Sequence, residues 1–316
     1  MKKVYIGVDV GGMSIKAGVV NEEGTIIFKE TAKTDAMDVD KFLEDIRLLV
    51  KKTITIAEEK GLKVEGIGFG VPGVVNNVNG TIDKMANIGG RFLPLRDTLK
   101  EFDLPVLISN DANVAALAEQ KFGVAKGYKD VVLLTLGTGV GGGVIVDGKL
   151  IEGNLGKGAE LGHVVIVLNG EPCGCGRKGC YEAYASASAL LRLTKEIMNK
   201  NKDSMMWEYC ENDTNKVSGL TSFECAKKGD KAANEVIDTY IMYLGEGMLN
   251  FCNIFRPEVF VMGGGISNQG EYLTSKLQKY LEDHEYGYAT APASKVLIAK
   301  FKNDAGIIGA ASLFLS

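Results

Sequence analysis

Histidine, proline and tryptophan are scarce in this chain: two, six and one among 316 residues. The prolines do not cluster, which excludes long proline-rich linkers. No apolar run reaches the roughly 18 residues of a membrane span. The first apolar stretch, MKKVYIGVDVGG, is interrupted by Asp9 too soon to read as a signal peptide. Positive charge is not in excess, with 36 Lys and Arg against 40 Asp and Glu and a net charge of -4. A duplex-binding protein would normally carry a basic face. The expectations are therefore no nucleic-acid partner, no membrane partner and a reducing cytoplasmic location. Hydrophobic residues at 46% and charged residues at 24% are ordinary for a globular protein. The length suggests about two domains.

Glycine is abundant, at 40 residues, and it punctuates two similar stretches. Lys3 to Val10 and Ile15 to Val20 are β-branched runs separated by Gly11-Gly12, and Asn21-Glu22-Glu23-Gly24 turns into a third run from Thr25 to Phe28. Asp130 to Leu136 repeats the pattern: a strand, the turn Gly137-Thr138-Gly139, a second strand to Val146, then Asp147-Gly148. The match of YIGVDVGGMSIKAGVVNEEG with LLTLGTGVGGGVIVDG reads as an internal duplication. Two glycine hairpins suit a nucleotide, because glycine lets backbone N–H groups approach phosphate oxygens, and Asp9 beside the first can hold magnesium through water. Taken singly, each hairpin is equally compatible with a plain turn.

Helical period runs from Val39 through Ala57 and stops at Gly61. Val64 to Val71 reads as a strand, residues 75–80 as a turn-rich piece, and Pro105 to Ser109 as a buried strand followed by the helix ANVAALAEQKFG. Asn110-Asp111 stands at that strand's end, where ligands gather in α/β sheets. Asp111 is a candidate base or an ordinary helix N-cap. Asn87 is a candidate ligand or a turn residue. Later come a helix from Ala185 to Lys200, an irregular stretch over 201–219, and a long helix from Lys231 to Phe255. Gly245 and Gly247 interrupt that helix where something packs closely. A strand then runs into Gly263-Gly264-Gly265, a third place for backbone amides to meet a ligand, and a last helix spans Ile307 to Leu315.

The richest stretch is ELGHVVIVLNGEPCGCGRKGCYEAYAS, from Glu160 to Ser186. His163, Cys173, Cys175 and Cys180 supply an imidazole and three thiolates, the closed donor set of a tetrahedral structural zinc. A redox dithiol would use the wider Cys-x-x-Cys spacing and leave the third thiol and His163 unexplained. Glu160 and Glu182 flank the set. Gathered ligands would draw these carboxylates together, and acceptor-only groups suit a polyhydroxylated ligand.

Taken together, these motifs resemble those of the bacterial glucokinases of the ROK group (repressors, open reading frames, kinases). The resemblance spans the chain. Its elements are Asp9-Val10-Gly11-Gly12-Met13-Ser14-Ile15-Lys16, Asn110-Asp111-Ala112-Asn113, Leu136 to Gly143, Glu160-Leu161-Gly162-His163, Cys173 to Glu182, and Gly263-Gly264-Gly265-Ile266-Ser267. It implies an α/β, two-lobed actin-like (ribonuclease H-like) ATPase fold with a ligand cleft between lobes. A smaller lobe would occupy 1–120, with 304–316 packing back on it, and a larger one 121–303. The implied activity is ATP-dependent phosphorylation of a hexose, glucose first, with N-acetylmannosamine or allose as alternatives and a non-catalytic sugar-responsive regulator as the rival class. The repressors of that group add an N-terminal helix-turn-helix, whereas here a strand is expected from Lys3.

The same resemblance implies Asp111 as base and Asn87, Asn110, Asp111, Glu160, His163 and Glu182 as sugar ligands. Asp9, Gly11, Gly12, Met13, Lys16, Gly137, Thr138, Gly139, Gly263, Gly264 and Gly265 would hold ATP with Mg2+. Zn2+ would lie on His163, Cys173, Cys175 and Cys180. A homo-oligomer, dimer or tetramer, is also implied. Three positions depart from the group's pattern: Met13 stands for threonine, Arg91 near a tryptophan, and Ala159 for glycine.

Overall fold

The computed structural model describes residues 2–11, 14–33, 38–85, 90–287 and 290–315. The opening meander is β1 (Lys2–Val10), β2 (Ser14–Asn21) and β3 (Ile26–Lys33), followed by helix α1 (Val39–Glu59). Phe42, Ile46, Leu49, Val50, Thr53 and Ala57 form the buried face of α1, as the period requires. Asp38 caps its start by accepting the Lys41 N–H at 3.1 Å, and Gly61, at φ 70°, follows its end. Strand β4 (Leu62–Val71) returns parallel to β1.

The turn-rich piece contains more order than its composition suggests. It is a small antiparallel hairpin, β5 (Val74–Asn76) and β6 (Thr81–Lys84). Short helix α2 (Leu95–Thr98) and strand β7 (Val106–Asn110) come next, and helix α3 (Asp111–Phe122) starts directly from the strand's last residue. The first sheet has the order β3-β2-β1-β4-β7, with β7 parallel to β4.

The second sheet repeats this plan with β8 (Val131–Leu136), β9 (Val140–Val146), β10 (Lys149–Leu150), β11 (Val259–Gly263) and β12 (Lys295–Ile298), in the order β10-β9-β8-β11-β12. Its β10 is antiparallel to β9 and its β12 parallel to β11. Those are the relations of β3 to β2 and of β7 to β4 in the first sheet. The duplication legible in the two glycine hairpins therefore extends to five strands each.

Between β10 and β11 lie α4 (Glu182–Ala185), α5 (Ala187–Lys200), α6 (Met205–Tyr209), α7 (Thr221–Lys227) and α8 (Lys231–Phe255). The stretch 201–219, expected to be irregular, thus holds a short helix, begun where Ser204 accepts the Met206 N–H. The two glycines of α8 sit against aromatic rings, Gly245 against Tyr280 and Gly247 against Tyr181. Helix α9 (Glu271–His284) precedes β12, and α10 (Ala305–Ser312) ends the fold.

Two compact units emerge. One comprises Met1–Leu133, Gly143–Ala159 and Ala299–Ser316, the other Leu134–Gly142 and Glu160–Ile298. The first unit therefore extends past the boundary expected at residue 120 and takes in most of β9 and all of β10. Within it, α10 lies directly on the first sheet, and this is possible only because glycines face it. A Cβ on Gly7 would fall 1.8 Å from the Ile307 carbonyl oxygen, and one on Gly68 would fall 1.9 Å from that of Ala310. Glu119 of α3, fully buried, fixes the approach to α10. Its Oε1 accepts the N–H groups of Lys300 (2.7 Å) and Phe301 (2.8 Å), and its Oε2 accepts that of Val124 (3.0 Å).

Gly68→Ala is expected to lower stability by roughly 1–3 kcal/mol, the ordinary cost of forcing an extra methyl into a packed contact. Urea unfolding followed by circular dichroism measures it.

Candidate active site and metal centre

In the first unit, the ends of β1 and β7 carry the polar residues. Asp9 is half-buried at the end of β1 and pairs with Lys16 across the hairpin at 3.7 Å. Burial raises its pKa above the ordinary carboxylate value, Lys16 works against the shift, and Asp304 adds to it. Gly306 of α10 packs on Asp9, where a Cβ would fall 2.6 Å from the carboxyl group. By sequence, Gly306 belongs to the Asn303-Asp304-Ala305-Gly306 cap of the last helix, and nothing there signals its contact with Asp9.

At the β7–α3 junction, Asn110 and Asp111 share the start of the helix. Asn110, in extended conformation, is the N-cap, and its side-chain oxygen accepts the Ala112 N–H at 2.9 Å. Asp111 is already the first helical residue. Its Oδ1 also reaches the Ala112 N–H at 2.9 Å, but the helix does not depend on it for a cap. The Asn110 amide donates to the Gly73 carbonyl at 3.1 Å, which anchors the strand end on the chain entering β5. Asp111 is exposed by surface area, yet enough protein surrounds its carboxyl to raise the pKa, and nearby Asp9 raises it further. Gly11 closes the turn by donating its N–H to the Ser14 carbonyl at 2.9 Å. Gly12, Met13 and Asn87, expected as ligands, lie outside the described residues.

In the second unit, the structure gathers His163, Cys173, Cys175 and Cys180 so that all four donor atoms lie within 4.8 Å of one another. The thiols are free. Cys175 and Cys180 Sγ are 3.7 Å apart, and Cys173 Sγ is 3.7 Å from His163 Nδ1. A tetrahedral ion with bonds of about 2.3 Å to sulfur would space two thiolates roughly 3.8 Å apart. The residues therefore fit a four-coordinate soft cation with Nδ1 as the imidazole donor. Burial pushes the Cys173 thiol up to about 12 and raises that of Cys180, whereas a hydrogen bond from the Arg177 backbone lowers that of Cys175.

The cluster is tied to its surroundings by short polar contacts. The Tyr184 hydroxyl accepts the Glu171 N–H at 2.7 Å, and Arg177 donates to the His163 carbonyl at 3.3 Å. Glu182, first residue of α4, spans from the cluster to the second glycine hairpin. Its Oε1 is 3.5 Å from Cys173 Sγ, and its Oε2 accepts the Val140 N–H at 3.0 Å. Beside it, Gly137 faces open space, with no protein atom within 4 Å of an added Cβ. Thr138 is fixed through its carbonyl, which accepts the Ser188 hydroxyl at 2.9 Å.

Gly265 is likewise open, while Gly264, at φ 80°, brings its backbone onto that of Leu136. Gly265 opens a short 3-10 turn, Gly265–Gln269, which separates the third glycine run from α9. Ser267 donates its hydroxyl to the Gly264 carbonyl at 2.7 Å and holds that turn. Glu160, exposed, precedes the 3-10 turn Leu161–His163, and its carbonyl accepts the His163 N–H at 3.0 Å.

With this geometry in place, comparison with known proteins is decisive at the level of family. The ROK family model matches residues 5–316. The chain belongs to the ROK family. It is similar to the glucokinase of Halalkalibacterium halodurans, with 36% identity over 311 residues covering 96% of this chain and 93% of that one. It is equally similar to the glucokinase of Thermotoga maritima, with 36% identity over 314 residues, 99% of this chain and 97% of that one. Among solved structures it resembles a ROK family glucokinase from Streptomyces griseus in complex with glucose and AMPPNP. There the TM-score is 0.80 at 35% identity, covering 98% of each chain. The α/β fold is that of the actin-like ROK sugar kinases.

One departure from the ROK pattern acquires a physical meaning. Ala159 has φ 59°, in the left-handed region that glycine adopts freely and a Cβ opposes. Ala159→Gly is expected to stabilise the protein by about 0.5–1 kcal/mol, the relief of strain less the added freedom of the unfolded chain. Thermal melting should register this as a small upward shift.

Proposed function

We propose that this protein is an ATP-dependent hexose kinase that phosphorylates glucose at its 6-hydroxyl. What carries the proposal is Asp111, relieved of capping by Asn110, in a chain matched over nearly its whole length to glucokinases. In the reaction, the Asp111 carboxylate takes the proton of the 6-hydroxyl as that oxygen attacks the γ-phosphorus of ATP. The new O–P bond forms as the bond to the bridging β-phosphate oxygen breaks, and ADP leaves. Phosphoryl transfer of this kind depends chiefly on positioning and charge neutralisation. Magnesium would supply part of the neutralisation, and Asp9 with Lys16 would hold it and the phosphates. Gly11, Gly12, Met13, the Gly137-Thr138-Gly139 turn and Gly263-Gly264-Gly265 offer the nucleotide their backbones, the second and third runs with open sides at Gly137 and Gly265.

Asn87, Asn110, Glu160, His163 and Glu182 are assigned to the sugar hydroxyls. The ion on His163, Cys173, Cys175 and Cys180 is zinc, chosen by the softness of three thiolates and an imidazole. Its role is to fix the loop. Ligation through His163 Nδ1 leaves the opposite ring nitrogen for a sugar hydroxyl and sets its tautomer.

A coupled ADP-release assay over a panel of hexoses tests the reading, with glucose expected to be turned over fastest. Faster turnover of N-acetylmannosamine or allose would replace glucose and keep the kinase. Asp111→Asn should lower kcat by about 10²–10⁴-fold, the usual worth of a general base, with calorimetric glucose affinity kept within about tenfold.

Stability should move in the opposite direction. A raised carboxylate pKa means the folded state holds its proton more tightly than the unfolded state. That stabilisation is complete below the ordinary aspartate value of 3.8 and is lost as pH rises through the folded value. Asparagine does not ionise, so Asp111→Asn should melt no lower than the parent at neutral pH. The effect is small because the group is open to water.

A further inference from the structure

Glu152 follows β10 in a segment for which the sequence offered no functional reading. Its carboxylate joins two elements that are distant in the chain. Oε1 accepts the hydroxyl of Ser109 at 2.5 Å, and Oε2 accepts the side-chain amide of Asn77 at 3.2 Å. Ser109 is fully buried and is the residue immediately before Asn110 and Asp111. Asn77 lies in the turn between β5 and β6, the hairpin that leads toward Asn87.

The surrounding contacts fix where Glu152 can go. Its own carbonyl accepts the Gly158 N–H at 2.6 Å, which closes the loop 152–158. Lys157 of that loop pairs with the nearly buried Asp83 of β6 at 2.6 Å, and Asp83 also accepts the Thr81 hydroxyl at 2.7 Å. Arg96 donates to the carbonyls of Asn77 and Val78 at 2.8 Å each, so the hairpin turn is gripped from the other side as well. Strand β7 is the edge of its sheet, and its last register pair is Val71 with Asn110. Beyond that pair the sheet no longer dictates where Asp111 points. A short hydroxyl-to-carboxylate bond from the adjacent buried serine is a strong, directional restraint at that place.

We infer that Glu152 is a positioning residue for the phosphoryl-transfer reaction, holding the Asn110-Asp111 strand end and the β5–β6 hairpin in one register through Ser109 and Asn77. The inference rests on the kinase reading above. Misplacing a reacting group by about 1 Å can cost on the order of 10²-fold in rate, so the restraint should be visible in kinetics rather than only in melting.

The test is steady-state kinetics for both substrates, with thermal melting, on the full chain and on Glu152→Ala, Glu152→Gln, Ser109→Ala and the Ser109→Ala/Glu152→Ala double variant. Glu152→Ala should lower kcat/KM for glucose by about 10–100-fold while the KM for ATP stays within about twofold. Glu152→Gln keeps an oxygen to accept from Ser109 and should recover to within about threefold. The double variant should be no worse than Glu152→Ala alone, because both changes remove one interaction. Near-native kcat/KM for glucose in Glu152→Ala and Ser109→Ala would overturn the inference, as would losses that multiply in the double variant. Should Glu152→Ala fail to fold, Ser109→Ala decides: a loss of at least about threefold supports the inference and native kinetics overturn it. Wild-type turnover is measured first. Its absence with every hexose overturns the kinase reading and this inference with it, whereas wild-type turnover with insensitive variants overturns this inference alone.

Discussion

Four soft donors held within 4.8 Å are the constraint on which the second unit's site depends. Three thiols and an imidazole in that volume have few ways to be comfortable. Burial opposes ionisation of Cys173 and Cys180, and all three thiols are free. A dication on the cluster would favour all the thiolates at once and would tie the loop between Glu160 and Glu182 together. Glu182 extends that constraint outward. One of its oxygens faces Cys173 and the other holds the Val140 N–H, so the cluster and the glycine hairpin share a carboxylate.

The first unit solves a different problem, that of aiming carboxylates from strand ends. Burial raises the pKa of both Asp9 and Asp111, and Asp9 lies close enough to Asp111 to raise it further. The fold accepts this cost by surrounding them with fixed contacts. Lys16 faces Asp9, Asn110 takes over the helix cap, and Gly306 lets α10 lie against the Asp9 carboxyl. Glu119 secures the chain just before α10 by accepting two of its backbone N–H groups, and a third from Val124 behind α3. The charged groups are thereby held by fixed contacts, the kind of arrangement electrostatic catalysis requires.

Much of this was legible in the residues, and the limits have physical causes. The face of α1 could be read because burial repeats with the helical period. The gathering of His163 with the three cysteines could be read because metal ligands must come in a set, and the paired glycine hairpins because a duplication repeats them. The two readings of Asp111 could not be separated, since capping depends on whether the helix begins at residue 110 or 111, and adjacent Asn and Asp both cap well. Glu152 with Ser109 was invisible, because a polar pair 43 positions apart leaves no spacing signal. The β5–β6 hairpin was hidden by its turn-forming composition. Ala159 stood out only as a departure, and its meaning needed the backbone angle.

The central claim is that the metal cluster frames the sugar site. The direct measurement is glucose affinity by calorimetry on protein as isolated, after removal of metal with a chelator, and after zinc is restored, with zinc content determined at each stage. Loss of glucose binding on stripping, and its recovery in proportion to zinc returned, is the predicted result. Unchanged glucose affinity in protein shown to be folded and free of zinc would contradict it.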